Sequence, residues 1–139
     1  MAERIFIKKL RENNRKDVEV ASASLSNIEK LSADSKVVDL LEKKGFNGLG
    51  HKPRPLTADM IAEADKILVM EQQQRETIIE RYEDATGKTF LLKPFSVGCT
   101  QLDSDDMNDI KDPYHLSNYH YRLCFAEIYL AVQGLIKCM

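Results

Sequence analysis

The sequence predicts a single α/β domain, residues 1–139, built around a short parallel sheet. Three observations carry that expectation. Helix-like and strand-like periodicities alternate along the chain, the pattern that buries a parallel sheet under its crossover helices. The strand-like segments are brief, apolar and β-branched, bounded by polar residues or proline. Length and composition suit one packed core: 139 residues, 43% hydrophobic and 30% charged, with only four prolines and six glycines.

The first element is a helix over residues 1–12. Ala2, Phe6 and Leu10 recur at i, i+4 and i+8, with Lys8, Lys9, Arg11 and Glu12 on the other side. No Ser, Thr, Asp or Asn precedes it to satisfy its first N–H groups, so a further strand is expected upstream of residue 1. After the polar break Asn13–Asp17, the alternating Val18-Glu19-Val20-Ala21-Ser22 reads as a strand. A second helix starts at Ser35, runs through Val37, Val38, Leu40 and Leu41, and stops at Gly45, where a left-handed residue ends a helix cheaply. Gly48, Gly50, Pro53 and Pro55 mark an irregular connection.

Thr57 caps a short third helix carrying Met60, Ile61 and Ala64. Lys66–Met70 is a compact apolar run, the form of a strand buried on both faces. A helix then spans Gln72–Tyr82 with Ile78, Ile79 and Tyr82 inward and Gly87 beyond it. Thr89–Leu92 is the third strand, closed by Pro94. After a polar stretch with Asp103, Asp105, Asp106 and Asp109 comes the turn Asp112-Pro113-Tyr114. A long last helix begins near Ser117, with Tyr121, Phe125, Tyr129, Val132 and Ile136 inward.

Twenty Lys and Arg against 22 Asp and Glu give a formal charge of -2, so no overall cationic field favours nucleic acid or an anionic membrane. The most apolar stretch, Leu123–Ile136, is interrupted by Glu127 and Gln133 and is shorter than the roughly 20 residues of a spanning helix. No signal-like run opens the chain. Cys99, Cys124 and Cys138 are odd in number and widely spaced, without metal-ligand intervals to histidine. The expectation is therefore a reduced, cytoplasmic protein with neither disulfide nor metal and no cofactor. Each cysteine reads as an ordinary core or surface residue, since a reactive thiol needs a basic neighbour or a helix N-terminus.

Several segments, in order, resemble the low molecular weight protein tyrosine phosphatases and their arsenate reductase relatives. Met1-Ala2-Glu3 is similar to the end of that family's Cys-x5-Arg-Ser-Pro-Met-Ala-Glu segment. Val20–Ser24 is similar to its Ser-Ala-Gly/Ala-Thr strand end, and His51–Thr57 to its His-x-x-Arg-x-Leu-Thr stretch. Ala64–Met70 resembles Ala-Asp-x-Ile-Leu-x-Met, and Asp109–Tyr114 the loop that carries the general acid.

The resemblance implies a three-layer α/β/α phosphotyrosine phosphatase fold lacking its usual first central strand. It implies hydrolysis of phosphotyrosine through a cysteinyl-phosphate, with Asp112 as general acid and Tyr114 as an aromatic wall beside the substrate. Partners would be a phosphotyrosine protein or a small aryl phosphate. The nucleophilic Cys and phosphate-clamping Arg would precede residue 1, so the chain is expected to be truncated and inactive. A non-catalytic regulatory or interaction protein of the same fold is the alternative, and an arsenate reductase relative a further one.

His51 and Arg54 are expected to be structural loop residues, while His115 stands where many relatives carry a second Tyr. Ser24 and Glu71–Gln74 also depart from the family pattern. Without the central strand, Val18–Ser22 and Lys66–Met70 are expected to pair directly, or else to pair with a second copy of the chain through the exposed edge.

Overall fold

A computed structural model describes residues 1–25, 35–46, 54–99, 108–114 and 116–139. Helix α1 (Ala2–Glu12) turns Ile5, Phe6 and Leu10 into the core. Its lysines fasten it laterally. Lys8 Nζ donates to Gly45 O at 2.9 Å and lies 4.4 Å from the Phe46 ring centre, and Lys9 stands 4.3 Å over the Tyr129 ring. Helix α2 (Ser35–Lys43) buries Leu40 and Leu41 and ends at Gly45, whose φ of 80° lets the Phe46 N–H return to Leu41 O at 2.8 Å.

Helix α3 (Ala58–Glu63) begins with Thr57 Oγ1 accepting the Met60 N–H. Its far end is capped by charge: Lys88 Nζ donates to Ile61 O at 2.6 Å and Ala64 O at 2.9 Å, placing a cation on the negative pole of the helix. Strands β1 (Ile67–Val69) and β2 (Thr89–Leu91) pair in parallel, with Leu68 opposite Phe90, and α4 (Gln72–Arg81) makes the crossover. A short 3-10 turn, Glu83–Ala85, follows α4, and the Thr89 hydroxyl donates to Ala85 O at 2.9 Å.

After β2 a second 3-10 turn, Lys93–Ser96, carries Pro94 and Phe95 into the core against helix α5 (Asn118–Lys137). Their contact is as close as backbones allow. A Cβ on Gly134 would lie 1.9 Å from Phe95 O, so only glycine permits this approach. Alternate turns of α5 bury Tyr121, Cys124, Phe125, Ile128, Ala131, Val132, Leu135 and Ile136. Tyr129, expected inward, is half-buried and stacks on Phe125 at 6.0 Å.

Three expectations need correction. Val18–Ser22 forms no strand: among the described residues the only pairing on this side is a parallel bridge between Ser24 and Pro55, with Ser24 N–H donating to Arg54 O and Leu56 N–H to Ser24 O. The alternation of valines makes an extended segment, but a strand needs a neighbour to receive its N–H groups. Nor do Val18–Ser22 and Lys66–Met70 close up on each other; the described sheet has the two strands β1 and β2, and Ile67 and Leu68 stay half-buried rather than covered on both faces.

The third correction concerns the cysteines. Cys99 and Cys138 form a disulfide, S–S 2.09 Å, with their Cα atoms 5.6 Å apart. Sequence spacing hides this because packing of α5 on the Lys93–Ser96 turn brings together residues 39 positions apart. No described helix is long and apolar enough to cross a membrane.

Candidate functional site

The C-terminal end of β1 opens onto a cavity of about 490 Å³, walled by the start of α1, the 22–24 segment, the start of α4, the 110–114 loop and Cys124 of α5. Both ends of its best-ordered wall are fixed by backbone hydrogen bonds. Gln74, in the first turn of α4, turns its Oε1 back to accept the N–H groups of Met70 and Glu71 at 3.0 and 3.1 Å. Asp109 Oδ1 accepts the Gln72 N–H at 2.8 Å, satisfying a free donor at the positive end of α4. Next to it the Ile110 N–H donates to Met70 O at 2.8 Å, which carries the hydrogen bonding of β1 into the loop, and the Ile110 side chain is fully buried.

Asp112 follows two residues on. Its Oδ1 accepts the Tyr114 N–H at 3.0 Å, an Asx turn that holds the loop around the buried Pro113. The turn and the cavity position are compatible: Asp112 lines the cavity while one carboxylate oxygen serves the backbone. Tyr114 lines the cavity and is 57% exposed, so it is not core packing.

Across the cavity, the Ser22 hydroxyl donates to the Glu3 carboxylate and Arg54 Nε donates to Ser22 O at 3.1 Å. Arg54 thus braces the 22–24 segment while also lining the cavity, a combination of the structural role expected for it and a place on the site. His51, His115, Gly48, Gly50, Asp103, Asp105 and Asp106 lie outside the described residues.

One thiol faces this space. Cys124 is buried on α5, and burial, reinforced by Glu127, pushes its thiol up to about 11. At neutral pH it is protonated and a poor nucleophile. Cys99 and Cys138 are not on the cavity wall. The sequence contains no Cys-x5-Arg: the residues six beyond Cys99 and Cys124 are Asp105 and Leu130. Among the described residues no group of three His, Cys, Asp or Glu is placed to hold a metal ion.

The sequence marks Asp112 and Tyr114, and both reach the cavity. Asp109, Gln74 and the inward side of Cys124 do not stand out in it. Asp109 is one aspartate among several, and its capping of a helix 37 residues earlier has no local signal.

A parallel β-α-β unit with an aspartate loop hung over the carboxyl end of its strand defines the class: a small α/β domain with a cavity of small-molecule size where open sheets place their ligands. The chain belongs to the low molecular weight phosphotyrosine protein phosphatase family, whose model matches residues 1–139. It is 31% identical over 127 residues to the low molecular weight protein-tyrosine-phosphatase Ptp of Acinetobacter johnsonii, covering 91% of this chain and 80% of that one. It is 32% identical over 120 residues to the protein-arginine-phosphatase of Geobacillus stearothermophilus, covering 86% and 76%. The crystal structure of the low molecular weight protein tyrosine phosphatase of T. tengcongensis superposes with a TM-score of 0.85 at 27% identity, covering 99% of this chain and 88% of that one.

Proposed function

We propose that this chain carries the substrate-facing half of a phosphotyrosine phosphatase site and does not itself turn over phosphate esters. In this reading Asp112 is the general acid for an aryl leaving oxygen, and Tyr114 forms the wall beside the ring. The carrying observation is the thiol inventory of the cavity: its single cysteine, Cys124, is held protonated, and no arginine six residues beyond it forms a phosphate cradle. Attack on phosphorus requires a thiolate within a cradle of donors for the transferring phosphoryl oxygens, and the protonated Cys124 supplies no such thiolate. Arsenate reduction meets the same obstacle.

The test is the rate of p-nitrophenyl phosphate hydrolysis by the 139-residue chain. The expected result is the buffer blank. Turnover above it that disappears in Asp112→Asn or Cys124→Ser would overturn the proposal. A non-catalytic role on the same fold is favoured by the way Gln74, one of the residues departing from the family pattern, is used to cap α4. That reading expects saturable binding of phenyl phosphate without hydrolysis, measured by calorimetry.

A further inference from the structure

Away from the cavity, we infer that the Cys99–Cys138 disulfide is a reversible thiol–disulfide exchange site whose substrate class is a dithiol reductant. Access is one half of the case. Cys99 is exposed, in a loop where Val97 is 77% exposed and no atom approaches within 4 Å of where a Gly98 Cβ would stand, while Cys138 is half-buried at the end of α5. Attack is therefore on Cys99 Sγ. Val97, two residues before Cys99, and Met139 (41% exposed), directly after Cys138, are exposed apolar neighbours in sequence of the bonded cysteines.

The reduced state is also provided for. Cys138 Sγ lies 3.2 Å from the main-chain oxygen of Gly134, so the liberated thiol has an acceptor in place. The helix end does not depend on the disulfide for its position: Leu135 and Ile136 are buried, and Gly134 is packed on the Phe95 backbone. The main-chain oxygen of Met139 is held separately by Arg15 Nη1 at 2.9 Å.

The exchange balances as follows. One reductant thiolate attacks Cys99 Sγ and forms a mixed disulfide there, and Cys138 leaves as a thiolate that takes up a proton. The second reductant thiol then displaces Cys99, so the reductant ends as a disulfide and the chain gains two thiols. The consequence is a choice between two states of Cys99: oxidised, it is tied to the end of α5; reduced, it is released from it. This site is independent of the phosphatase reading.

The test treats the folded 139-residue chain with dithiothreitol, traps thiols with iodoacetamide and locates labels by peptide mass spectrometry. The expected result is labelling of Cys99 and Cys138 but not Cys124, unchanged far-ultraviolet circular dichroism, faster amide exchange confined to 97–99 and 137–139, and recovery on reoxidation. The melting temperature should fall by roughly 5–10 °C on reduction, the size expected for opening a loop of this length. The variant Cys138→Ser should fold and match the reduced protein in exchange. Three free thiols before any reductant is added would overturn the inference. So would labelling of Cys99 and Cys138 only together with Cys124, or a Cys138→Ser variant that does not fold, because the bond would then be a staple.

Discussion

The two walls of the cavity are built to different standards. On the β1–α4 side, the strand end, the helix start and the 109–112 loop share hydrogen bonds among Met70, Gln72, Gln74, Asp109 and Ile110, and Ile110 is sealed in the core. On the opposite side, the segment from Asn13 to Leu25 is held by a bridge at Ser24, by side-chain bonds of Ser22, Arg15 and Arg54, and by half-buried valines at 18 and 20. The wall that carries Asp112 is self-sufficient, and the other relies on side chains. Secondary structure that closes its own hydrogen bonds keeps its geometry, whereas an extended segment without a ladder takes its position from whatever braces it.

That contrast can be broken most severely from behind, through α5, which brings Cys124 to the cavity. Gly134→Ala puts a methyl group where Phe95 O stands, and backbone cannot swing aside, so α5 must separate from the Lys93–Ser96 turn. A loss of about 3 kcal/mol is expected from denaturant unfolding, at the upper end for overpacking. Asp109→Ala tests the junction itself. It leaves the Gln72 N–H without its acceptor, at an expected cost of about 1–2 kcal/mol, with amide exchange accelerating at Gln72 and Ile110 and not at Val20.

The smallest effect belongs to the weaker wall. The Arg15 guanidinium hydrogen-bonds both oxygens of Asp17 and holds its carboxyl down to about 2. Because the folded value lies below the unfolded one, the contribution is complete above about pH 4 and disappears as the pH falls towards 2. Both groups are exposed, so the change should be barely visible in melting temperature and should vanish in Asp17→Asn.

How much of this was readable beforehand follows from how local each signal is. Thr57 as a cap, Gly45 at positive φ, and α5 starting after Ser117 depend on neighbours within a few residues, and all stand as the sequence predicts. The resemblance to an acid loop singles out Asp112 and Tyr114, and both line the cavity. Val18–Ser22 was misread because alternation of valines reports an extended chain but not a partner for it. The Asp109 cap and the Cys99–Cys138 bond join residues 37 and 39 positions apart, and only the packed positions of α4 and α5 decide them. The two 3-10 turns carry no periodicity long enough to detect.

The Ile110–Met70 hydrogen bond also acts as a pivot. Two residues of chain, a reach of roughly 7 Å, separate that fixed point from Asp112. The carboxyl at the end of so short an arm is fixed from both sides, by the Ile110–Met70 hydrogen bond before it and by the Tyr114 N–H donating to Asp112 Oδ1 after it. Inserting a single residue between Ile110 and Asp112 would displace Asp112, Pro113 and Tyr114 along the cavity wall while leaving Met70, Glu71 and Gln74 where they are.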